Sequence, residues 1–274
     1  AFYRTGSRPA RSLPRVRPPA EDRTIAKPRR FGTGTLTGMW WLLFILPAMY
    51  LLWCLLLFLK QDQMVFPRQL APRPVGMPYD GRAHLLTISI EGDAHVEALF
   101  LPAPGVSASN PGPMVVFFHG NAEIIDMQQW LVEHYHGLGV SVLLPEYRGY
   151  GRSGGRPSEK AIINDMLKFF DETVRRKEVD ASRIAFHGRS LGAAVAIGVA
   201  GHRRPGLLIT EGAFRSVTSL AIRFGVPPVL VRNPFRSERR LPRLDMPMLI
   251  FHGTLDEIIP VTHLSEVLEV ALAG

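Results

Sequence analysis

The sequence predicts an α/β domain with a mostly parallel, doubly wound sheet, carried behind one transmembrane helix. Three observations predict it. Residues 38–59 read "GMWWLLFILPAMYLLWCLLLFL", with no charge until Lys60. Beyond them, short solid apolar runs alternate with stretches of helical periodicity, the pattern of strands covered on both faces. The charge is lopsided: nine basic residues against Glu21 and Asp22 put +7 of the formal +8 into residues 1–37, leaving the remainder nearly neutral.

Taken in order, residues 1–37 are rich in Arg and Pro and too poor in apolar residues to fold, so they are expected to be a disordered basic tail. A pI near 10 therefore reports a tail and not a nucleic-acid-binding domain. Residues 38–59 are long enough to cross a bilayer, and Pro47 is tolerable in such a helix. Trp40 and Trp41 suit its interfacial belt. A cleaved signal would be shorter and end in a small-x-small site, which "LKQDQMVFPRQ" lacks, so an uncleaved signal anchor is expected. The basic excess before it puts the N-terminus in the cytoplasm and the rest outside, in the periplasm of a bacterial inner membrane or its equivalent. The one cysteine, Cys54, lies in the span, so disulfides play no part. Residues 60–83 read as a lead-in.

"HLLTISI" (84–90) and "AHVEALFL" (94–101) alternate like a hairpin. "MVVFF" (114–118), "VSVLL" (140–144), "RIAFH" (183–187), "LLIT" (207–210) and "MLIF" (248–251) read as buried parallel strands. Ile163, Met166, Leu167, Phe170 and Val174 mark one face of an intervening helix.

Two stretches fit G-x-S-x-G, "GRSGG" at 151–155 and "GRSLG" at 188–192. The nucleophilic serine of hydrolases sits on a tight turn between a strand and a helix. Ser190 has a strand before it and the Ala-rich "AAVAIGVAG" after it; Gly188 and Gly192 leave room where the two pack. Ser153 lies well past its strand, in a glycine-rich loop, so Ser190 is the predicted nucleophile. A serine also needs an oxyanion hole, a base and an acid. "VVFFHGNAE" places His119, Gly120 and Asn121 just after the third strand, where a backbone donor belongs, and Leu191 N–H is the second donor. His119 itself reads as structural. Asp256, after the last apolar strand in "MLIFHGTLDEIIP", is the predicted acid, with Glu257 the weaker choice and helix capping the alternative role. No histidine fits the base: His252 precedes the acid, His263 falls in the following helix, and His202 lies beyond the far end of the helix after Ser190. The expectation is either a chain lacking its last strand, catalytic histidine and final helix, or an inactive relative.

"MVFPR", "FFHGNAE", "YRGYGRSGG", "HGRSLGAAVA" and "FHGTLDEIIP" occur in an order that resembles the α/β-hydrolase superfamily, and within it the membrane-anchored Bem46-like branch. The resemblance covers residues 61–274 and implies an α/β-hydrolase fold at 84–274. It implies an acyl-enzyme on Ser190, Asp256 as acid, and Asn121 and Leu191 as oxyanion donors. His119, Gly120, Gly188, Gly192 and Tyr147 would line the site, and an ester, thioester or amide would be cleaved. It implies no metal or organic cofactor. The partners implied are the bilayer through residues 38–59 and a small-molecule or acyl substrate, with no nucleic acid. Residues 212–243 fall where such folds insert a cap; their aromatics and Arg215, Arg223, Arg232, Arg236, Arg239 and Arg240 suit an acyl chain with an anionic head. The other readings are a non-catalytic binding or scaffold module and a membrane or nucleic-acid interaction through the basic tail.

Overall fold

The computed structural model describes residues 41–74, 76, 78, 79, 81–256, 259 and 262–272. The tail and Gly38–Trp40 lie outside them. The chain divides into two compact units, Ala1–Ala48 and Met49–Gly274. In the first, the described residues are Trp41 and the opening turns of helix α1 (Leu42–Val65). The second holds the rest of α1 and the sheet domain.

Helix α1 is 24 residues long, and an 18-residue window of it has a mean hydropathy of 2.6. At 1.5 Å per residue that is about 36 Å, more than a bilayer's hydrocarbon core. Pro47 sits inside it without ending it. The helix runs past Lys60 to Val65, so the first residues of the predicted lead-in are helical. The reason is local: Gln61 and Asp62, which would otherwise favour solvent, find partners in the cap. The Gln61 amide donates to Leu230 O at 3.0 Å, and Asp62 accepts from Arg232 at 2.9 Å and Asn233 at 3.3 Å.

The sheet has seven strands: β1 (His84–Ser89), β2 (His95–Leu101), β3 (Gly112–Phe118), β4 (Ser141–Pro145), β5 (Val179–Arg189), β6 (Leu207–Glu211) and β7 (Met248–Phe251). Their spatial order is β1-β2-β4-β3-β5-β6-β7. The β1–β2 and β2–β4 pairings are antiparallel; all others are parallel. The predicted opening hairpin and parallel strands are thus present. β5 begins four residues earlier than its apolar run, because Val179 pairs with Gly112 across an irregularity in β3.

Strand alternation builds two cores. Met114, Val116 and Phe118 face helices α3 (Glu159–Thr173) and α4 (Leu191–Ala200), while Val115 and Phe117 face α2 (Gln129–Gly137). Ser158 starts α3 by accepting the Ala161 N–H at 3.2 Å. Between β6 and β7 the cap holds α5 (Val217–Arg223) and α6 (Ser237–Arg240), and α7 (Thr262–Leu272) follows β7. The chain passes from β3 to β4 on one side and returns to β5 on the other. The crevice at the carboxyl ends of β3 and β5 is therefore the topological switch point where ligands of open α/β sheets bind.

Helix α4 starts against that crevice without side chains between. A Cβ on Gly192 would overlap the Phe118 carbonyl, and one on Gly188 would overlap the Gly192 carbonyl. Both obstacles are backbone and cannot swing aside. Gly192→Ala should therefore destabilise the fold by about 1–3 kcal/mol, the usual range for overpacking, and lower the unfolding midpoint in denaturant.

Candidate active site

Ser190 closes β5 and opens α4 with φ 53° and ψ −115°, a conformation that L-residues adopt only under constraint. Its N–H donates to Glu211 O at 2.7 Å and its carbonyl accepts from Ala193 N at 3.0 Å. The turn is thereby pinned from the neighbouring strand and from the helix it starts. Ser190, Asn121 and Leu191 share the wall of a cavity of about 250 Å³, completed by Gln61, Ile259 and mostly apolar side chains of the cap and the last turns of α1. Sequence-distant residues 121 and 190–191 are brought together here, as predicted.

The loop carrying Asn121 is held from behind. His119 and Glu146 are wholly buried. Glu146 Oε1 accepts from His119 Nε2 at 2.7 Å and from Tyr147 N at 2.9 Å, and Oε2 accepts from Ile125 N at 3.2 Å. Burial opposes charging His119, but the Glu146 carboxylate prevails and raises its pKa above the ordinary value. The Tyr147 hydroxyl donates to His119 O at 2.8 Å. His119 and Tyr147, predicted to line the site, thus stand beneath it: both are fully enclosed, and their work is to fix the loop. Gly120 lets the loop pass close to Arg189 O, and its N–H donates to Glu123 at 3.2 Å.

Asp256 lies in the loop after β7. Its Oδ1 accepts from Ile259 N at 2.8 Å, so it does cap the following turn, while a Cβ on Gly212, just beyond β6, would lie 3.7 Å from Oδ2. This places the carboxylate beside the end of β6, one strand from Ser190. His252 is bonded through Nε2 to Ile259 O at 2.6 Å and ties the same loop together. His119, His136 and His187 are likewise engaged elsewhere than at the Ser190 hydroxyl, with Glu146, Leu101 O and Glu211 respectively.

Ser153 is buried, and its hydroxyl accepts from Glu97 N at 3.1 Å. The second G-x-S-x-G is a structural turn. Of the cap arginines, Arg232 pairs with Asp62 and Arg240 with Glu159, whereas Arg215, Arg223 and Arg239 are exposed.

A second network stands beside the elbow, without a signal in the sequence. Glu211 accepts from His187 Nε2 and from Arg189 Nε, both at 2.8 Å, and Tyr135 donates to His187 Nδ1 at 2.9 Å. Arg189 also stacks over Phe117 and Trp130. Only the strand register, which sets Arg189 opposite Glu211, unites these residues. The His187 hydrogen bond is the main cause that depresses the Glu211 pKa to about 2, with Arg189 adding to it against partial burial.

Among family models, that for serine aminopeptidase S33 matches residues 109–232. An uncharacterised protein of Mycobacterium tuberculosis, Rv2307c, is 38% identical over 170 residues, covering 61% of this chain. The match spans 60% of that relative's length. The α/β hydrolase domain-containing protein WAV2 of Arabidopsis thaliana is 31% identical over 175 residues, 56% of each chain. Among solved structures, the Pyrococcus furiosus esterase Pf2001 superposes with a TM-score of 0.56 at 17% identity, covering 73% of this chain and 82% of the esterase. The fold is the α/β-hydrolase fold.

The geometry sets the expected cost of three substitutions. Glu146→Ala removes one half of a buried pair and strands three donors, so it should cost about 3–5 kcal/mol in urea unfolding; Ser153→Ala, losing one hydrogen bond, should cost about 1–3. Glu211 titrates lower folded than unfolded. Its contribution is present above its unfolded pKa and is lost as pH falls from about 5 toward 2. Glu211→Gln should flatten that acid limb of stability. At pH 7 it should cost roughly 1–2 kcal/mol, discounted for the partial exposure of the carboxylate.

Proposed function

We propose that the protein is a membrane-anchored serine hydrolase of the Bem46-like branch, cleaving a carboxylic ester, thioester or amide through an acyl-enzyme on Ser190. One observation carries the reading: a positive-φ serine at a strand–helix elbow, sharing an apolar cavity with Asn121 and the first residue of α4. In the proposed reaction Ser190 Oγ attacks the carbonyl carbon. The oxyanion forms toward the Leu191 and Asn121 N–H groups and the helix N-terminus, where developing negative charge is favoured. The leaving group departs with a proton and water then releases the acyl group. Asp256 is the acid that would orient a histidine base. The match to the mycobacterial and plant proteins and the order of the motifs support the branch; the length and hydropathy of α1 support the anchor. The basic excess of residues 1–37 supports an N-terminus in the cytoplasm, with the catalytic domain on the other side.

The second reading is a binding or scaffold protein on the same fold, favoured by the partners of His119 and His252, which bond Glu146 and Ile259 O and not Ser190. A fluorophosphonate probe separates the two. Labelling of the folded chain at Ser190, lost in Ser190→Ala and retained in Ser153→Ala, is the outcome expected for the hydrolase. A folded, unlabelled wild type that hydrolyses none of the three bond classes would establish the second reading.

A further inference from the structure

Helix α1 is more than a tether to the sheet domain. The Tyr50 hydroxyl donates to Gly225 O at 2.8 Å, and Trp53 Nε1 donates to Phe224 O at 3.2 Å. Gln61 donates to Leu230 O and accepts from Arg232 N at 2.8 Å, and the Arg232 guanidinium lies over the Phe58 ring. Between these two sets of bonds the cap runs down the helix for about three turns, with its tip level with Tyr50 and Trp53. Counted from Lys60, the first charge, those residues lie about 15 and 10 Å along the axis. The headgroup layer of one leaflet is only about 5–8 Å thick. A helix that spans the bilayer therefore carries the tip of the cap below the headgroups.

The tip is built for that depth. Ile222 and Phe224 are 53% and 62% exposed. Arg223 stands between them in sequence, with a stem long enough to return its charge to the headgroup level, whereas Arg232 is already at that level, paired with Asp62. The cavity at Ser190 is continuous with this surface. Its wall includes Phe224 and Ala221 at the tip, Leu220 and Phe214 further in, and Leu57 and Phe58 of the helix.

We infer that the tip of the cap is seated in the bilayer and that the Ser190 cavity receives the acyl chain of a membrane lipid directly from it. The inference names the substrate side of the proposed hydrolase and rests on α1 crossing the membrane. The apolar chain lies between α1 and the cap. The bond to be cleaved then stands at Ser190, above the headgroup level, where polar leaving groups and water have access.

The test uses the full chain carrying Ser190→Ala, so that no turnover intervenes, in vesicles of phosphatidylcholine and phosphatidylglycerol. In a Cys54→Ala background, single cysteines replacing Ile222, Phe224 and Lys177 carry an environment-sensitive fluorophore. Lys177 lies before β5, at the edge of the sheet opposite Ser190. Positions 222 and 224 should show blue-shifted emission quenched by lipids spin-labelled along the acyl chain, and position 177 should show neither. Phosphatidylcholine with a photoreactive diazirine midway along one acyl chain should crosslink to the peptide holding Phe214 and Leu220. Water-like emission at both tip positions overturns the proposal. So do crosslinks confined to Leu51–Leu59, since those record only lipid around the helix. Neither readout needs catalysis, so the proposal stands or falls apart from fluorophosphonate labelling.

Discussion

Helix α4 meets the carboxyl end of β3 with no side chain between them, and the geometry of the site depends on that approach. Gly192 lies against the Phe118 carbonyl and Gly188 against Gly192 itself. The contact sets Leu191 N–H beside the loop that begins at His119, so two segments separated by 70 residues of sequence converge. Ser190 is left in a left-handed conformation that local preferences would reject. Hydrogen bonds to Glu211 and Ala193 hold it there. Strain at one residue is affordable because the surrounding sheet register admits no alternative.

The oxyanion loop depends in turn on a buried charge. Glu146 lies in the interior with three donors on its two oxygens. An ionised carboxylate there is tolerable only while that shell is complete. It joins the end of β4 to the loop after β3, adjacent strands whose carboxyl ends form the floor of the crevice. The Glu211 network performs the corresponding task at the ends of β5 and β6, tying the residue before the serine to the next strand.

The sheet was legible because its strands are buried on both faces and thus appear as uninterrupted apolar runs. The elbow at Ser190 was legible because a strand, two glycines and an alanine-rich helix are contiguous in sequence. Glu146 was not: one acidic residue after an apolar strand looks the same whether it faces solvent or the interior. Nor was the His187–Glu211–Arg189 cluster, whose members face one another only once β5 and β6 are in register. Ser153 illustrates the converse. Its motif matched a catalytic pattern, but the bond it makes, to Glu97 N, is one that any buried turn serine could make.

The same blindness applies to α1. Tyr50 and Trp53 are ordinary in a membrane-spanning sequence, where amphipathic rings are common, and nothing in their neighbours marks them as ligands of another segment. Their acceptors are main-chain carbonyls of Phe224 and Gly225, 171 and 175 residues away, and a carbonyl has no sequence signature. Once those bonds are known, four polar residues of the helix form a consistent set: each of Tyr50, Trp53, Gln61 and Asp62 meets the cap, while Lys60 and Gln63 bond each other. An apolar helix needs no hydrogen bonds to remain in a bilayer. Four polar side chains directed at one segment are explained by fixing the cap, and with it one wall of the serine's cavity, at a constant height on the helix.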